Sequence, residues 1–258
     1  MTGDKTAERG MAGRARIVIC LLAVVMVIGA IISVGLGRFP MTPQQIVGML
    51  AEKVVPVEQT WTNQQQALFF GVRLPRVVLA LMVGCSLSAA GASFQGIFQN
   101  PLVSPDFLGA SQGAAFGACL AILVGANSLM TSLSSFAFSM LSVLVVLTIS
   151  RLARGNRVLV TVLAGVMVSS LFQAGVSYVK LVADPNTQLQ AITFWLMGSL
   201  TSARPKDIAL VVLPMTIGCV GLILLRWRLN VLTMGDDEAR SMGVDAPRIR
   251  AVAIVLAT

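Results

Sequence analysis

The sequence of 258 residues contains no histidine. This absence excludes histidine-ligated metal sites, Ser-His-Asp hydrolysis and proton relays through histidine. Cysteine is also scarce, and the four cysteines lie in apolar runs without C-x-x-C spacing, at Cys20, Cys85, Cys119 and Cys219. We interpret them as small packing residues rather than disulfides or metal ligands, so we expect no metal site in this chain.

Lysines in a phosphate-binding loop and acids at membrane depth are missing as well. No G-x-x-x-x-G-K-[ST] stretch occurs, so the chain has no Walker loop to hold ATP phosphates. Asp106 and Asp184 lie at the ends of apolar runs, and the other acids lie in polar segments. Carriers driven by protons or sodium usually keep ionisable groups at membrane depth. Ion coupling is therefore disfavoured, although unwound backbone carbonyls could still coordinate sodium.

The sequence contains long apolar runs instead. Hydrophobic residues make up 56% of the chain and charged residues only 12%. Runs of 18 or more apolar residues can cross a hydrocarbon core of about 30 Å as helices. They predict an all-α, polytopic membrane bundle with six complete spans, at 17–36, 77–98, 107–126, 129–150, 158–182 and 207–225. A seventh run begins at 251 and has eight residues, so we expect the chain to stop inside a membrane helix.

The basic residues predict the orientation of these spans. Of the 19 lysines and arginines, 12 precede the first span or follow the fourth and sixth, namely Lys5, Arg9, Arg14, Arg16, Arg151, Arg154, Arg157, Arg226, Arg228, Arg240, Arg248 and Arg250. Alternating spans place all of them on one side, which the positive-inside rule identifies as the cytoplasm, together with the N-terminus. The net charge of +8 then reflects topology rather than nucleic-acid binding.

The same topology assigns each connecting segment to a side. The outward segments are 37–72 and 183–206, and the inward segments are 99–106, 151–157 and 226–250. We predict one membrane domain over residues 1–258 and no soluble domain.

Small residues recur at every fourth position of two spans, at Gly84, Ser88, Ala92 and Gly96 and at Gly109, Gly113, Gly117, Ala121 and Gly125. Residues four apart share a helix face, and small side chains let membrane helices approach closely. Neutral polar residues accompany them. We interpret one set as helix packing or as the lining of a path for a polar solute: Ser93, Gln95, Asn100, Pro101, Gly109, Ser111, Gln112, Gly113, Gly117 and Gln173.

Ser111 lies in G-A-S-Q-G, which matches the nucleophile-elbow pattern G-x-S-x-G. That motif needs a strand-to-helix turn and a histidine base, and this chain offers neither. A membrane-embedded hydrolase using Ser111 is therefore a remote alternative, which labelling by a serine-reactive probe would reveal.

The stretch T-M-G-D-D-E-A-R-S-M-G-V, residues 233–244, concentrates charge in an apolar chain. Three acids at a helix start complement the helix dipole, and Asp236 can pair with Arg240 four residues later. Gly243 suits the stop after the helix, and Asp245 with Pro247 predicts the start of another. The pattern indicates a short helix bounded by glycines, either an ordinary loop helix or a docking site for a cytoplasmic partner.

Three separated stretches resemble the permease family of ATP-driven importers for iron-siderophores, haem and vitamin B12, the FecCD type. They are R-L-P-R-V-V-L-A-L-M-V-G-C-S-L-S-A-A-G-A-S-F-Q-G-I-F-Q-N-P-L-V-S-P-D-F-L-G-A-S-Q-G-A-A-F-G-A at 73–118, A-D-P-N-T-Q-L-Q-A-I-T-F-W-L-M-G-S-L at 183–200 and L-N-V-L-T-M-G-D-D-E-A-R-S-M-G-V at 229–244. Their order and number make the resemblance specific, and it covers nearly the whole chain.

The resemblance implies a transport subunit rather than an enzyme. Such a permease has ten membrane helices, works as a homo- or heterodimer in the cytoplasmic (inner) membrane of a bacterium or archaeon, and binds no cofactor itself. Two cytoplasmic ATPase subunits hold ATP and Mg²⁺, and an extracytoplasmic binding protein delivers the ligand. An iron-siderophore is the first expectation for that ligand, followed by cobalamin or haem. The alternative from another class is a secondary transporter or channel for a small polar solute.

The resemblance also implies residue roles. Within the segment 229–247, the coupling helix that enters a cleft of the ATPase corresponds to Gly235, Asp236, Asp237, Glu238, Ala239, Arg240, Ser241 and Gly243. Arg73 and Arg76 match arginines that face the binding protein, or else they anchor the second span. Two departures stand out. Family members exceed 300 residues, so about three helices are expected to be missing here, and Gln190 stands where the family has proline.

Overall fold

The structure is a computed structural model that describes residues 3–37, 39–53, 55–153, 157–201 and 203–258. Arg154 of the predicted inward loop lies outside these residues. The described parts of the chain are helices joined by short connections: α1 Gly3–Gly35, α2 Pro43–Ala51, α3 Asn63–Leu68, α4 Leu74–Phe98, α5 Ala110–Leu123, α6 Ser128–Leu152, α7 Arg157–Val182, α8 Gln188–Met197, α9 Pro205–Leu232, α10 Asp236–Ser241 and α11 Ala246–Ala257. The predicted all-α membrane fold is confirmed.

In the described residues, five helical segments are long and apolar enough to cross a membrane: Gly13–Gly35, Asn63–Phe98, Ser128–Leu152, Val158–Val182 and Pro205–Leu232. They correspond to the first, second, fourth, fifth and sixth predicted spans. Most of their surface is exposed within this chain. Exposed apolar surface of this kind suits hydrocarbon or other membrane helices rather than water.

The third predicted span, 107–126, is a shorter helix than expected. A 3₁₀ turn over Pro105–Leu108 ends at Gly109, whose φ of 74° interrupts the helix before α5 begins. The 14 residues of α5 span only about 21 Å, less than a hydrocarbon core of about 30 Å. Its apolar composition resembles that of a span because α5 packs largely against protein, with Gly113, Gly117 and Cys119 buried.

The second predicted span begins earlier than expected, at Asn63 rather than residue 77. Thr62 caps α3 in a capping box with Gln65, a start signal that we had placed within an outward loop. A π-helical turn, Phe69–Arg73, then joins α3 to α4, with the Leu74 amide donating to the Phe69 carbonyl. The wider turn accommodates Pro75, which has no N–H to donate.

The described residues divide into two compact units. The first comprises residues within 1–81 together with 200–208. Its apolar cluster contains Val34, Met41, Ile46, Met49, Trp61 and Phe69. Helix α2 lies within the segment predicted as an outward loop, and begins with a Thr42–Gln45 capping box and Pro43. These local signals produce a short helix that packs against α1 in this cluster.

The second unit comprises residues within 82–199 and 209–258. Its larger cluster joins α4, α6, α9, α10 and α11 through Phe94, Ile97, Leu108, Val143, Val146, Leu232, Ala239 and Ile254, among others. A smaller cluster joins α5, α7 and α8 through Cys119, Val176, Val179 and Ile192. Because lipid is as apolar as these side chains, close packing rather than exclusion of water holds such contacts within a membrane.

The last apolar run also begins earlier than predicted. Helix α11 starts at Ala246, immediately after Asp245, whose carboxylate accepts a hydrogen bond from the Arg248 amide at 3.1 Å. Pro247 lies in the first turn, as the sequence predicts. The predicted helix start at Asp245 and the apolar run from residue 251 therefore belong to one helix.

Candidate functional site

Helix α10 begins at a glycine that its geometry requires. Gly235 has φ of 124° and ψ of 161°, a region that is essentially restricted to glycine. A Cβ at this position would lie 2.5 Å from Oε2 of Glu238. Asp236, Asp237 and Glu238 follow in the first turn, where the positive end of the helix dipole favours them.

The end of α10 is a Schellman motif. Gly243 has φ of 76°, and its amide donates to the Arg240 carbonyl at 3.0 Å. The Val244 amide donates to the Ala239 carbonyl at 2.9 Å, which gives the paired hydrogen bonds of that motif. The predicted short helix between two glycines is thus confirmed.

The two faces of α10 differ in chemistry. Ala239 is completely buried, and Val244 and Ala246 beyond the helix are buried with it in the larger apolar cluster. The side chains of Asp237, Glu238, Arg240 and Ser241 are exposed. The helix therefore presents charged and polar groups while a small apolar face attaches it to α9 and α11.

Asp236 is partly exposed, and its carboxylate binds within the chain. Its carboxylate pairs with Arg250 of α11, at 2.8 Å between Nη2 and Oδ1, a partner that the four-residue spacing to Arg240 did not indicate. Arg250 was not singled out from the sequence. The available signal was its position four residues after Ala246 and four before Ile254, which places a cation on the buried face of α11.

The segment after α4 supports the end of α9. Gln99 has φ of 50°, and its Nε2 donates to the Leu232 carbonyl at 2.9 Å. Asn100 closes the next turn, since its Oδ1 accepts from the Leu102 amide at 2.9 Å. Asn100 and the adjoining Pro101 are exposed. Their observed role is to shape this connection.

Small residues of α5 serve helix packing. A Cβ on Gly113 would lie 2.5 Å from the Phe138 carbonyl oxygen, and one on Gly117 would lie 2.5 Å from that of Ser134. The Gly109 carbonyl accepts a hydrogen bond from the Ser142 hydroxyl at 2.9 Å. The close approach predicted for this stripe is therefore confirmed at Gly113 and Gly117, where it joins α5 to α6, whereas a Cβ on Gly125 would meet nothing within 4 Å.

The stripe on α4 behaves differently. Gly84, Ser88 and Ala92 are exposed in this chain, and a Cβ on Gly84 would meet no atom within 4 Å. Ser93, on another face, is buried and donates to the Ala89 carbonyl at 2.8 Å. Thus Ser93 has an observed local hydrogen bond, while the exposed small face remains a prediction for helix packing.

The neutral polar residues are not gathered into one cluster. Gln95 and Gln173 are exposed, and Gln112 is half-buried. Ser111 is exposed, and its hydroxyl donates to the Asp106 carboxylate. A path-lining role for these residues stays a prediction. Among the described residues, no group of three or more Cys, Asp or Glu side chains is placed to hold a metal ion.

Arg73 and Arg76 both bind backbone carbonyls of the first unit. Arg73 donates through Nη1 to the Val34 oxygen at 2.7 Å, at the end of α1. Arg76 donates through Nη2 to the Thr201 oxygen at 2.8 Å and through Nε to the Leu200 oxygen at 3.2 Å. The anchoring interpretation therefore describes their observed contacts, and docking of a binding protein stays a prediction.

Comparisons with known proteins give this arrangement a context. A model of the FecCD transport family matches residues 22–258. The molybdate import system permease protein MolB of Haemophilus influenzae is 36% identical over 237 residues, covering 91% of this chain and 69% of that protein. A Helicobacter pylori protein named "Probable iron chelatin transport system permease protein" is 40% identical over 184 residues, covering 71% of this chain and 55% of that protein.

A solved structure is similar over most of the chain. It is described as an inward-facing conformation of a metal-chelate type ABC transporter, and it matches with a TM-score of 0.80 and 33% identity. The match covers 93% of this chain and 72% of that chain. Other relatives, 30–36% identical, carry names that refer to Fe(3+)-citrate, cobalamin and hemin.

Proposed function

This chain belongs to the FecCD transport family, and we propose that it acts as a permease subunit of an ATP-driven importer. It would lie in the cytoplasmic membrane of a bacterium or archaeon with its N-terminus in the cytoplasm. A second permease subunit would pair with this one, and the translocation path would lie between the two subunits. The family match, the similar transporter structure and the five apolar helices support this proposal.

Helix α10 is the proposed contact with the ATPase, and its geometry carries the proposal. A partner that drives transport must move membrane helices, so it needs a rigid lever rather than a mobile loop. Helix α10 has defined glycine-bounded ends, one buried face and exposed charges at Asp237, Glu238 and Arg240. ATP binding and hydrolysis in the partner would displace α10 and thereby shift α9 and α11. This movement would open the translocation path to the two sides of the membrane in turn.

Charge reversal at the exposed acids tests this assignment. The variant with Asp237→Lys and Glu238→Lys should bind the ATPase subunits of the same transporter about tenfold or more weakly, because complementary charges become repulsive. The measurement is quantitative pull-down from detergent, accompanied by ATP-dependent uptake in proteoliposomes. Glu58→Lys is the matched control, since Glu58 is an exposed acid in the segment predicted to face outward.

The outcomes separate the proposal from its alternatives. Reduced association and uptake with a normal Glu58→Lys control would support coupling through α10. Unchanged association and uptake in the double variant would refute it. Uptake that follows an ion gradient without any ATPase would instead favour a secondary transporter or channel.

A binding protein on the outward side is the remaining proposed partner. Arg73 and Arg76 are half-buried and already donate to backbone carbonyls. Any contact with an acidic partner would therefore use the donors that these bonds leave free, in a fixed orientation. Arg73→Lys and Arg76→Lys keep the charge but lose the planar fork, so weakened capture of the binding protein in these variants would support docking.

We propose an iron chelate as the transported ligand, with cobalamin and haem as the next candidates. Relatives carry names that refer to iron chelatin, Fe(3+)-citrate, cobalamin and hemin. These names support the class of ligand and not the order of the candidates within it. Molybdate enters the comparison through the Haemophilus protein. Binding of ferric siderophores, haem, cobalamin and molybdate by the partner binding protein, followed by uptake assays, would identify the ligand.

A further inference from the structure

An ion pair joins α10 to α11. Asp236 is the first residue of α10, and Arg250 lies in the second turn of α11. Nη2 of Arg250 lies 2.8 Å from Oδ1 of Asp236, and Nη1 lies 3.5 Å from Oδ2. This two-pronged contact restrains the orientation of the carboxylate as well as its distance.

The pair is buried on one side. The Arg250 side chain is only 7% exposed, whereas that of Asp236 is 41% exposed. In the part of the chain that the structure describes, Nε of Arg250 is buried without a hydrogen-bond partner. A buried cation is costly unless it is paired, so the position of Arg250 depends strongly on the Asp236 carboxylate.

Helix α10 has little of its own to hold it in place. It has six residues, far fewer than an isolated helix needs for stability in water. Ala239 is the residue of α10 that is fully buried. An alanine methyl contributes little directional restraint, whereas the guanidinium–carboxylate contact defines both distance and angle.

Helix α11 connects this pair to the membrane part of the second unit. It packs against α6, and Ala253 and Ile254 belong to the larger apolar cluster. A displacement of Asp236 would therefore be carried by Arg250 into a helix that is itself packed on a long apolar helix. The hydrogen bond at 2.8 Å, the second and longer contact at 3.5 Å and the packing of α11 on α6 make this a mechanical connection rather than a chance surface contact.

We infer that Arg250 is a positioning residue for α10: its ion pair with Asp236 sets the orientation in which α10 presents Asp237 and Glu238 to the ATPase, and transmits movement of α10 to α11. The inference rests on the proposed function for its partner. It divides the acidic triplet into one acid that binds within the chain and two that are available to the ATPase.

Hydrogen–deuterium exchange on the full chain in lipid nanodiscs tests the structural part without any partner. In Arg250→Met the amides of residues 236–244 should exchange about tenfold or more faster, because α10 loses its directional attachment. Arg248→Met is the matched control, since Arg248 is exposed on the same helix. Exchange in α5 and α6 reports whether the fold is retained. Unchanged exchange of α10 in Arg250→Met would overturn the inference.

Swapping the two charges distinguishes loss of the ion pair from a simple loss of packing. Asp236→Asn should also accelerate exchange in α10, while Asp237→Asn, at the exposed neighbour, should accelerate it much less, because it loses only its interaction with the helix dipole. The double variant Asp236→Arg with Arg250→Glu restores opposite charges and should recover at least part of the slow exchange. The single variants Asp236→Arg and Arg250→Glu provide the comparison. If exchange in the double variant is as fast as the effects of these two single variants combined would give, the pairing explanation is wrong.

The functional part is tested with the ATPase subunits present. Arg250→Met should reduce ATP-driven uptake by about tenfold while Arg248→Met does not, and Arg250→Lys should recover part of it through a single hydrogen bond. Faster exchange of α10 with normal uptake would overturn the positioning role. If instead Asp237→Lys with Glu238→Lys binds the ATPase normally, the proposed coupling site fails whatever Arg250 does to the order of α10.

Discussion

Replacing Gly117 with alanine should destabilise the contact between α5 and α6. The added Cβ would lie 2.5 Å from the Ser134 carbonyl oxygen and 2.8 Å from Cβ of Phe138. Non-bonded heavy atoms in ordinary contact lie about 3.5 Å apart, so the two helices would have to separate by roughly 1 Å. The obstructing atom is backbone, which cannot rotate away as the end of a side chain could.

The magnitude follows from two opposing effects. Overpacking of a well-packed interior typically costs about 1–3 kcal/mol. Alanine is favoured over glycine within a helix by about 0.5–1 kcal/mol, which offsets part of that cost. A net loss of about 1–2 kcal/mol should lower the Tm by about 2–8 °C for a chain of this size.

Thermal unfolding can be followed at Cys119, which is buried in α5 and becomes reactive toward a thiol dye only when the helix opens. The glycine variants are made in a protein from which the other three cysteines have been removed, namely the exposed Cys20 and Cys85 and the half-buried Cys219. Gly84→Ala is the matched control in detergent. Its Cβ meets nothing within 4 Å, so this variant should keep or raise the Tm.

The result that would refute the reasoning is a Gly117→Ala protein with the same Tm as Gly84→Ala. Such a result would mean that α5 and α6 can separate without loss. The same test at Gly113, which faces the Phe138 carbonyl at the same distance, checks whether the effect belongs to the interface or to one position.

Three further predictions follow from local contacts. Arg76→Met loses the hydrogen bonds to Leu200 and its neighbour, and should cost about 1–2 kcal/mol, seen as faster proteolysis before α9. The Thr187 hydroxyl and nearby amides hold the pKa of Asp184 below its ordinary value, so the turn is stabilised above about pH 4 and loses this contribution as the pH falls through the lowered value. The protection of the turn amides, measured relative to their intrinsic exchange rates, should therefore fall in acid, and Asp184→Asn should abolish that fall. Thr62→Ala removes the α3 cap and should cost about 0.5–2 kcal/mol, measured as faster exchange in α3 than in α6. Protection of the turn that does not change with pH, or unchanged proteolysis or α3 exchange, would contradict the respective prediction.

Features governed by neighbouring residues were predictable. The glycines at 235 and 243 and the acids between them predicted α10, because helix ends depend on backbone conformation and on groups within one turn. The capping box at Thr62 carried an equally local signal, yet its polar surroundings resembled a loop. Hydropathy alone therefore does not reveal the start of α3, whereas the capping box does.

Features governed by distant contacts were not predictable. Apolar length cannot distinguish a helix that faces lipid from one that is surrounded by protein, and α5 belongs to the second kind. The pairing of Asp236 could be proposed only from spacing along one helix, which favoured Arg240. Arg250, which the structure pairs with Asp236, lies on another helix.

The sequence by itself determined that this chain is a helical membrane protein, because hydrocarbon demands long apolar helices that satisfy their own backbone hydrogen bonds. It also determined where α10 begins and ends, because those limits depend on a few adjacent residues. Only the tertiary structure decided which acid of α10 binds within the chain and which glycines admit a neighbouring helix. Those outcomes depend on the distances between atoms that folding brings together from separate helices.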